Sequence, residues 1–335
     1  MLRANIKAAV ISRFGGPEVI EIQEVPTPSA AADQVLVQVK ASSLNRADLL
    51  QRQGKYAAPA GSPQEIPGME FAGVVAALGP QARLWQIGQR VFGITGGGAH
   101  AEYTVMHERA LAEIPEDLSW EEAAAVPEAF ITAHDALWKQ AALRPSERVL
   151  IHAVGSGVGI AAVQLVRAIG AIPYGTSRTA DKIEKTKSYG LEAGVQLRGS
   201  LDPLSDFTKV TTQDRGFDVV LDLVGGPYVS ASIQSLALKG RLLLLATVAG
   251  TKAEFNLGQF LGKRAQIIGT TLRSRSLEEK IMVTQVFAKE VVPLFAKGTL
   301  RPTIDSVFTL DQIQDAHRRL ESNDTFGKVV LKIAE

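Results

Sequence analysis

The chain of 335 residues contains no cysteine. That excludes disulfides, thiolate nucleophiles and every zinc site built on sulfur, and it places no demand for an oxidising compartment. A cytoplasmic location is therefore the default expectation. No run of about 18 apolar residues occurs, the length a membrane-crossing helix needs, so no membrane partner is expected. The opening stretch MLRANIKAAVISRFGGPEVIEI lacks an apolar core leading to a small-residue cleavage site. Charge of one sign is also missing: 36 Lys and Arg stand against 35 Asp and Glu, with no basic run to make a nucleic acid a primary partner. Internal repeats and low-complexity tracts are absent. What remains is an ordinary globular balance, 46% hydrophobic and 21% charged, long enough for two domains.

Hydrophobic periodicity divides the chain. IKAAVI, VIEIQEV and QVLVQVKAS read as strands separated by turn residues, and residues 44–53, LNRADLLQRQ, as a helix. A Pro/Gly-rich loop, GKYAAPAGSPQEIPG, follows; loops of that length usually serve a site or a lid. EFAGVVAAL, RVFG and GGGAHAEYTVM add further sheet. From Ser119 the character changes. Ser119 and Glu122 fit a capping box at the head of one helical run, SWEEAAAVPEAFITAHDALWKQAAL. Apolar strands then alternate with helices: RVLIHAV, IAAVQLVRAIG, AIPYGTS, TADKIEKTKSYG, FDVVLDLVG, YVSASIQSLAL, GRLLLLATV and AQIIGTTL. Such alternation predicts an α/β fold, a doubly wound parallel sheet covered on both faces, near residues 127–270. The tail mixes helices in EEKIMVTQVFAKEVVPLFAKG and DQIQDAHRRLES with strands in SVFTL and GKVVLKI.

The strongest chemical signal is VLIHAVGSGVGIAAVQLVRAIGA. Gly155, Gly157 and Gly159 separate an apolar strand from an apolar helix. Glycine permits close backbone approach, and the helix N-terminus offers N–H groups and a positive dipole end to a pyrophosphate. G-x-G-x-G is weaker than the full dinucleotide pattern, and a tight ligand-free turn is the competing explanation. The next strand ends in Ser177-Arg178, with Lys182 beyond and no carboxylate where an NAD site places one. Arg178 and Lys182 would suit a 2′-phosphate, which favours NADPH; as plain solvated helix-end cations they would do nothing.

NRADLLQRQGKY at 45–56, PGMEFAGVV at 67–75, AAAVPEAFITA at 123–133, SGVG at 156–159, DLVGG at 222–226, GTTLRSR at 269–275 and FGKVVL at 326–331 resemble, in order, the zeta-crystallin-like quinone oxidoreductases of the medium-chain dehydrogenase/reductase superfamily. The wording NRADLLQRQG and LRSR is most similar to the stress-inducible animal-type quinone reductases. The resemblance implies a GroES-like, β-rich catalytic domain from residues 1–126 and 271–335, a Rossmann domain at 127–270, and NADPH bound in the cleft between them. It implies catalytic roles for Tyr56, Asn45 and Thr132. It places cofactor contacts at Ser156, Gly157, Val158, Ser177, Arg178, Lys182, Ala246, Thr247, Val248, Thr271, Leu272, Arg273 and Lys328. It also implies a homodimer or dimer of dimers joined through Rossmann edge strands, with LLLLATV and AQIIGTTL as candidates. One departure stands out: where many relatives carry Asn-Tyr near the adenosine, this chain has Gln196-Leu197, leaving Arg178 or Arg198 to compensate.

Zinc-dependent members of the superfamily ligate metal with Cys and His; Asn45 and Met69 stand at those positions, and the five histidines show no HExxH-type pairing, so no metal is expected. Each histidine reads as a surface or satisfied core residue, and Asp48 as a helix-surface charge. Asn45 reads equally as a helix cap, Tyr56 as packing on Pro59, and Thr132 as a mid-helix hydroxyl bonded back to the chain. Hydride transfer to a small quinone requires orientation and neutral donors more than a Lewis acid. The alternatives are an alkenal or enone double-bond reductase, and a non-catalytic NADPH-binding protein of crystallin-like or RNA-associated kind.

Overall fold

Alternation of apolar and polar residues near the N-terminus resolves into paired strands in the computed structural model, which describes residues 3–334. Strands β1 (Asn5–Ile11), β2 (Ile20–Pro26) and β3 (Gln34–Ser43) lead to helix α1 (Arg46–Arg52). Strands β4 (Glu70–Leu78), β5 (Arg90–Ile94), β6 (Tyr103–His107) and β7 (Leu111–Glu113) follow, then α2 (Trp120–Ala124) and the short α3 (Thr132–His134). The alternating region contains β8 (Arg148–Ile151), α4 (Gly157–Ala168), β9 (Ile172–Ser177), α5 (Ala180–Lys187), β10 (Ala193–Gln196), α6 (Pro203–Thr212) and β11 (Phe217–Asp222). It continues through α7 (Tyr228–Ser235), β12 (Leu236–Leu244), α8 (Leu257–Lys263) and β13 (Gln266–Gly269). Helices α9 (Leu277–Glu290) and α10 (Val292–Ala296), strand β14 (Ile304–Thr309), helix α11 (Ile313–Glu321) and strand β15 (Lys328–Lys332) complete the chain. None of the helices among the described residues is long and apolar enough to cross a membrane.

The chain divides into two compact units, one running up to Ile131 and resuming at Leu272, the other Thr132–Thr271. The first holds a seven-stranded sheet in the order β14-β15-β3-β4-β5-β7, with β6 also paired to β3. β15 lies antiparallel to β3, Val330 opposite Ser43, so the end of the chain completes a sheet begun near its start. Val35, Val37, Val39, Phe71, Val75 and Val91 fill one side of that sheet. Ile313, Ala316 and Leu320, on one face of α11, pack with Leu49, Val329 and Leu331 on another.

The second unit is a six-stranded parallel sheet, ordered β10-β9-β8-β11-β12-β13. That order reverses direction at β8, as in doubly wound nucleotide-binding folds, whose ligands sit beyond the carboxyl ends of the strands at the reversal. Apolar runs such as RVLI and FDVVLD are buried because helices cover both faces. β12 is interior, flanked by β11 and β13. The expectation that LLLLATV supplies an edge is therefore corrected: on that side only β13 is an edge.

Local readings shift in four places. The helical run after Ser119 is not continuous. The capping box forms, but α2 ends at Ala124, and π-helical turns span 127–131 and 135–140, where Pro127 removes a backbone donor. Helix α6 carries too many Thr and Val residues to read as one; Thr208 and Thr212 bond back to the Leu204 and Thr208 carbonyls at 2.7 Å. Helix α8 contains two glycines and no buried residue, so it has no amphipathic signature. Leu236–Leu238 open β12 instead of ending α7, with Leu236 pairing Phe217.

Candidate functional site

In the second unit the turn after β8 places Ser156 as the N-cap of α4, its hydroxyl accepting the Gly159 N–H at 3.1 Å. The amides of Gly157 and Val158 begin the helix and have no partner within it by construction of the α-helix. A Cβ on Gly155 would lie 2.9 Å from Cβ and 3.0 Å from Cδ of Lys182. Absence of that atom lets the Lys182 stem, from the first turn of α5, lie across the glycine turn. Lys182 and the Ser156–Val158 turn thus form one cradle.

Beside it, Ser177 is buried at the end of β9 and its hydroxyl accepts the Thr179 N–H at 3.3 Å. The Arg178 carbonyl accepts from Gln196 Nε2 at 2.9 Å. Leu197 is 2% exposed and packs in the unit's core with Leu150 and Tyr174. The segment Ala246–Val248 is held to the DLVGG turn by the Ala249 N–H to Val224 carbonyl bond at 2.9 Å, with Val248 exposed. His152 is enclosed between Thr176 Oγ1 at 2.9 Å and Ser232 Oγ at 3.0 Å; burial pushes its pKa down to about 4, with the Asp222 carboxylate opposing weakly. Tyr228 packs edge-on against that ring, 5.0 Å between centroids. Burial, then Asp222, raises its hydroxyl pKa, and Arg178 offsets part of this.

In the first unit the organising group is Glu70, fully buried at the start of β4. Its Oε1 accepts from Ser43 Oγ at 2.5 Å, Asn45 Nδ2 at 2.8 Å and Lys328 Nζ at 2.7 Å, and its Oε2 from the Glu128 N–H at 2.7 Å. Lys328 also donates to Asn45 Oδ1 at 2.6 Å and the Leu44 carbonyl at 3.0 Å. An ammonium has three hydrogens, so these three partners use them all. The Asn45 amide is oriented by charge on both sides, oxygen toward Lys328 and nitrogen toward Glu70, which leaves one Nδ2 hydrogen. Asn45 is also the N-cap of α1, and Asp48 Oδ2 accepts its N–H at 2.7 Å.

Asp48 corrects the expectation of a surface charge. It is fully buried, and its other oxygen accepts the Gly68 N–H at 3.0 Å. Its position three residues into a helix whose cap faces the core explains this. Of the two readings of the histidines, burial applies to His100, His134, His152 and His317, all of which are enclosed. Burial is the main cause of the lowered pKa of His100, opposed by Asp48, the Ser43 backbone and Glu70.

Arg273 lies over the Tyr56 ring, 5.0 Å from its centroid. Its Nη2 donates to Gln51 Oε1 at 2.5 Å and to the Gly96 carbonyl at 2.8 Å, while Nη1 is buried without a hydrogen-bond partner. Leu272 beside it is buried. Asn45 with Lys328, and Tyr56 with Arg273, are thus two contacting pairs of the first unit. Ser156, Gly157, Val158, Ser177, Arg178, Lys182, Ala246, Thr247 and Val248 belong to the second, as do Thr132 and Thr271 at its ends. The Thr132 hydroxyl is buried without a hydrogen-bond partner, so it does not bond back to the chain.

Reading by residue type missed Glu128 altogether. Its Oε2 is buried without a hydrogen-bond partner, and its pKa is pushed up to about 7 by burial, then by the Glu70 carboxylate. Lone acids inside apolar stretches, Glu128 in AVPEAFI and Glu70 in PGMEFAG, were the available signal. Among the described residues no group of three or more His, Asp and Glu side chains is arranged to hold a metal.

Residues 31–116 match the alcohol dehydrogenase GroES-like domain, and residues 202–331 the zinc-binding dehydrogenase family. The chain is 31% identical to the quinone oxidoreductase of Lama guanicoe over 97% of each chain. It is 30% identical to the synaptic vesicle membrane protein VAT-1 homolog of Danio rerio, covering 97% of this chain and 69% of that one. The quinone oxidoreductase structure from Pseudomonas syringae superposes with a TM-score of 0.86 at 27% identity, covering 98% of this chain and all of the other.

Proposed function

The chain belongs to the quinone-oxidoreductase-like branch of the medium-chain dehydrogenase/reductase superfamily, and we propose that it reduces small quinones with NADPH and without a metal. The observation that carries the cofactor reading is Lys182 lying across the Gly155 turn, at the foot of a strand that ends in Ser177-Arg178 and not in a carboxylate. The missing Cβ at Gly155 seats the Lys182 stem against the turn; Ser156, Gly157 and Val158 line the cradle for the pyrophosphate, and Lys182 with Arg178 neutralises the 2′-phosphate. Ala246, Thr247 and Val248 complete the cofactor side. When bound, NADPH supplies the hydride.

Asn45 and Tyr56 orient the quinone, Asn45 through its remaining amide hydrogen. Lys328, with every hydrogen engaged inside the unit, positions Asn45. A zinc ion does not fit this donor set. Asn45 Oδ1 already faces an ammonium at 2.6 Å, and a buried thioether, Met69, stands beside Glu70. The hydroquinone anion formed by hydride transfer spreads its charge over the ring and makes little demand for a Lewis acid. β13 is the strand through which two copies pair.

The test is a side-by-side panel of quinones, alkenals and enones with NADPH and NADH, repeated on Lys182→Ala. NADPH oxidation fastest with quinones, and a KM for NADPH raised at least ~10-fold with that for NADH unchanged, is the expected result; one ion pair to phosphate accounts for that factor. Binding of NADPH without turnover of any acceptor would sink the enzymatic reading.

A further inference from the structure

Glu128 has no part in the reading above, yet the residues of the first unit converge on it. Its backbone N–H is anchored on Glu70 Oε2 at 2.7 Å, and the other oxygen of Glu70 holds Asn45 and Lys328. The carboxyl sits on a π-helical turn, a distortion often found at functional sites. Its Oε2 is enclosed without a hydrogen-bond partner, and so is Nη1 of Arg273, the guanidinium that lies over Tyr56. A buried carboxyl oxygen and a buried guanidinium N–H, both unpartnered and electrostatically coupled, are costly unless a ligand completes them. A carbonyl oxygen does so: it accepts from Arg273 Nη1 and, once anionic, takes a proton from the acid.

We propose that Glu128 is the catalytic acid of this enzyme, protonating the anionic oxygen of the reduced acceptor while Arg273 Nη1 donates to that same oxygen. This rests on the quinone-reductase reading. The balance closes. A hydride from NADPH delivers two electrons and one hydrogen nucleus, leaving NADP⁺ and a hydroquinone monoanion. The carboxyl O–H of Glu128 breaks as the hydroquinone O–H forms, and the resulting carboxylate is reprotonated from solvent. The groups that set its titration are Glu70 on β4 and Asp48 on α1, which favour the protonated form, and Lys328 on β15, Arg273 and Lys280 on α9, which oppose it. Burial outweighs the cations, so a carboxyl that titrates at about 7 still carries its proton in a large fraction of molecules at neutral pH.

The experiment compares wild type, Glu128→Gln and Glu128→Asp. Wild-type kcat/KM for quinone falls as pH rises through about 7. In Glu128→Gln it drops ~100-fold, the usual size of an acid-base contribution, and that limb disappears. The dissociation constant for NADPH is unchanged, and Glu128→Asp restores part of the rate and a descending limb. Independently of turnover, infrared difference spectra of the wild type show one protonated carboxyl titrating at about 7 that is missing from both variants at that pH. Wild-type rate and pH profile in Glu128→Gln would overturn the proposal alone, whereas absence of quinone turnover in the wild type would overturn the parent reading. Should Glu128→Gln fail to fold, the infrared titration and Glu128→Asp decide: a wild type without a carboxyl titrating in that range refutes it.

Discussion

The Lys328 ammonium lies 2.7 Å from Glu70 Oε1, with the two side chains 8% and 0% exposed. Neither charge has water to fall back on, and each is neutralised chiefly by the other. Lys328→Met leaves a buried carboxylate unpaired and should cost ~3–5 kcal/mol, the range for breaking a buried pair. Adding Glu70→Gln should restore more than half of that. Denaturant unfolding of the two variants checks it; equal losses would mean the pair is not coupled.

Gly155→Ala and Gly159→Ala press the glycine turn against different neighbours. A Cβ at 155 meets Lys182 first, 2.9 Å from its Cβ and 3.0 Å from its Cδ; that Cβ is fixed to the backbone of α5, so the start of the helix shifts with the lysine. NADPH affinity should fall ~10-fold, about 1.4 kcal/mol, and melting temperature should drop less than in Gly159→Ala. A Cβ at 159 lies 2.6 Å from the Ala153 carbonyl oxygen and 2.7 Å from that of Val154, where nothing flexible can yield. That variant should lose ~2 kcal/mol or more of stability as well. Calorimetric titration and thermal melts read the two effects.

His152 predicts acid sensitivity. Its pKa falls from 6.5 to about 4 on folding, chiefly through burial. The unfolded chain therefore binds a proton between those values that the folded one does not, and stability declines as pH drops from 6.5 toward 4, by up to ~3 kcal/mol. NMR of the ring should show it neutral at pH 5.5 or thereabouts; a ring protonated there would contradict the assignment.

Glu128 acts with the opposite sign. Folding raises its pKa from 4.5 to about 7, so its stabilising contribution is complete below 4.5 and is lost as pH rises through 7. Glu128→Gln should be more stable than wild type at alkaline pH, by ~2–3 kcal/mol, and gain nothing at pH 4. Denaturation midpoints at the two ends of that range test it.

The parallel sheet was legible because its strands are continuous apolar runs between glycine and proline breaks, as in RVLI and FDVVLD. Helix α6 was not, since Thr208 and Thr212 satisfy their hydroxyls against the helix itself, a compensation that no propensity scale records. The glycine turn and Lys182 could be placed beside each other in advance because strand-turn-helix geometry is local. Asp48, Glu70 and Glu128 escaped for the converse reason. Their settings depend on partners distant in sequence: Gly68 for Asp48, Lys328 for Glu70, and Glu70 for Glu128. The family resemblance likewise implied two strands as candidate edges; only pairing order shows that β12 is enclosed.

The bond between Lys328 and Asn45 joins residues 283 positions apart. On the ribosome, β3 and β4 emerge, and Glu70 with them, long before the strand that carries its counter-charge. The first unit therefore cannot close until β15 has been made; the second, contiguous in sequence and complete before it, is free to fold first. Any truncation that removes β15 takes away the cation that orients Asn45 and the strand paired with β3, so a shortened chain should retain its parallel-sheet unit and lose the ordered Asn45 amide.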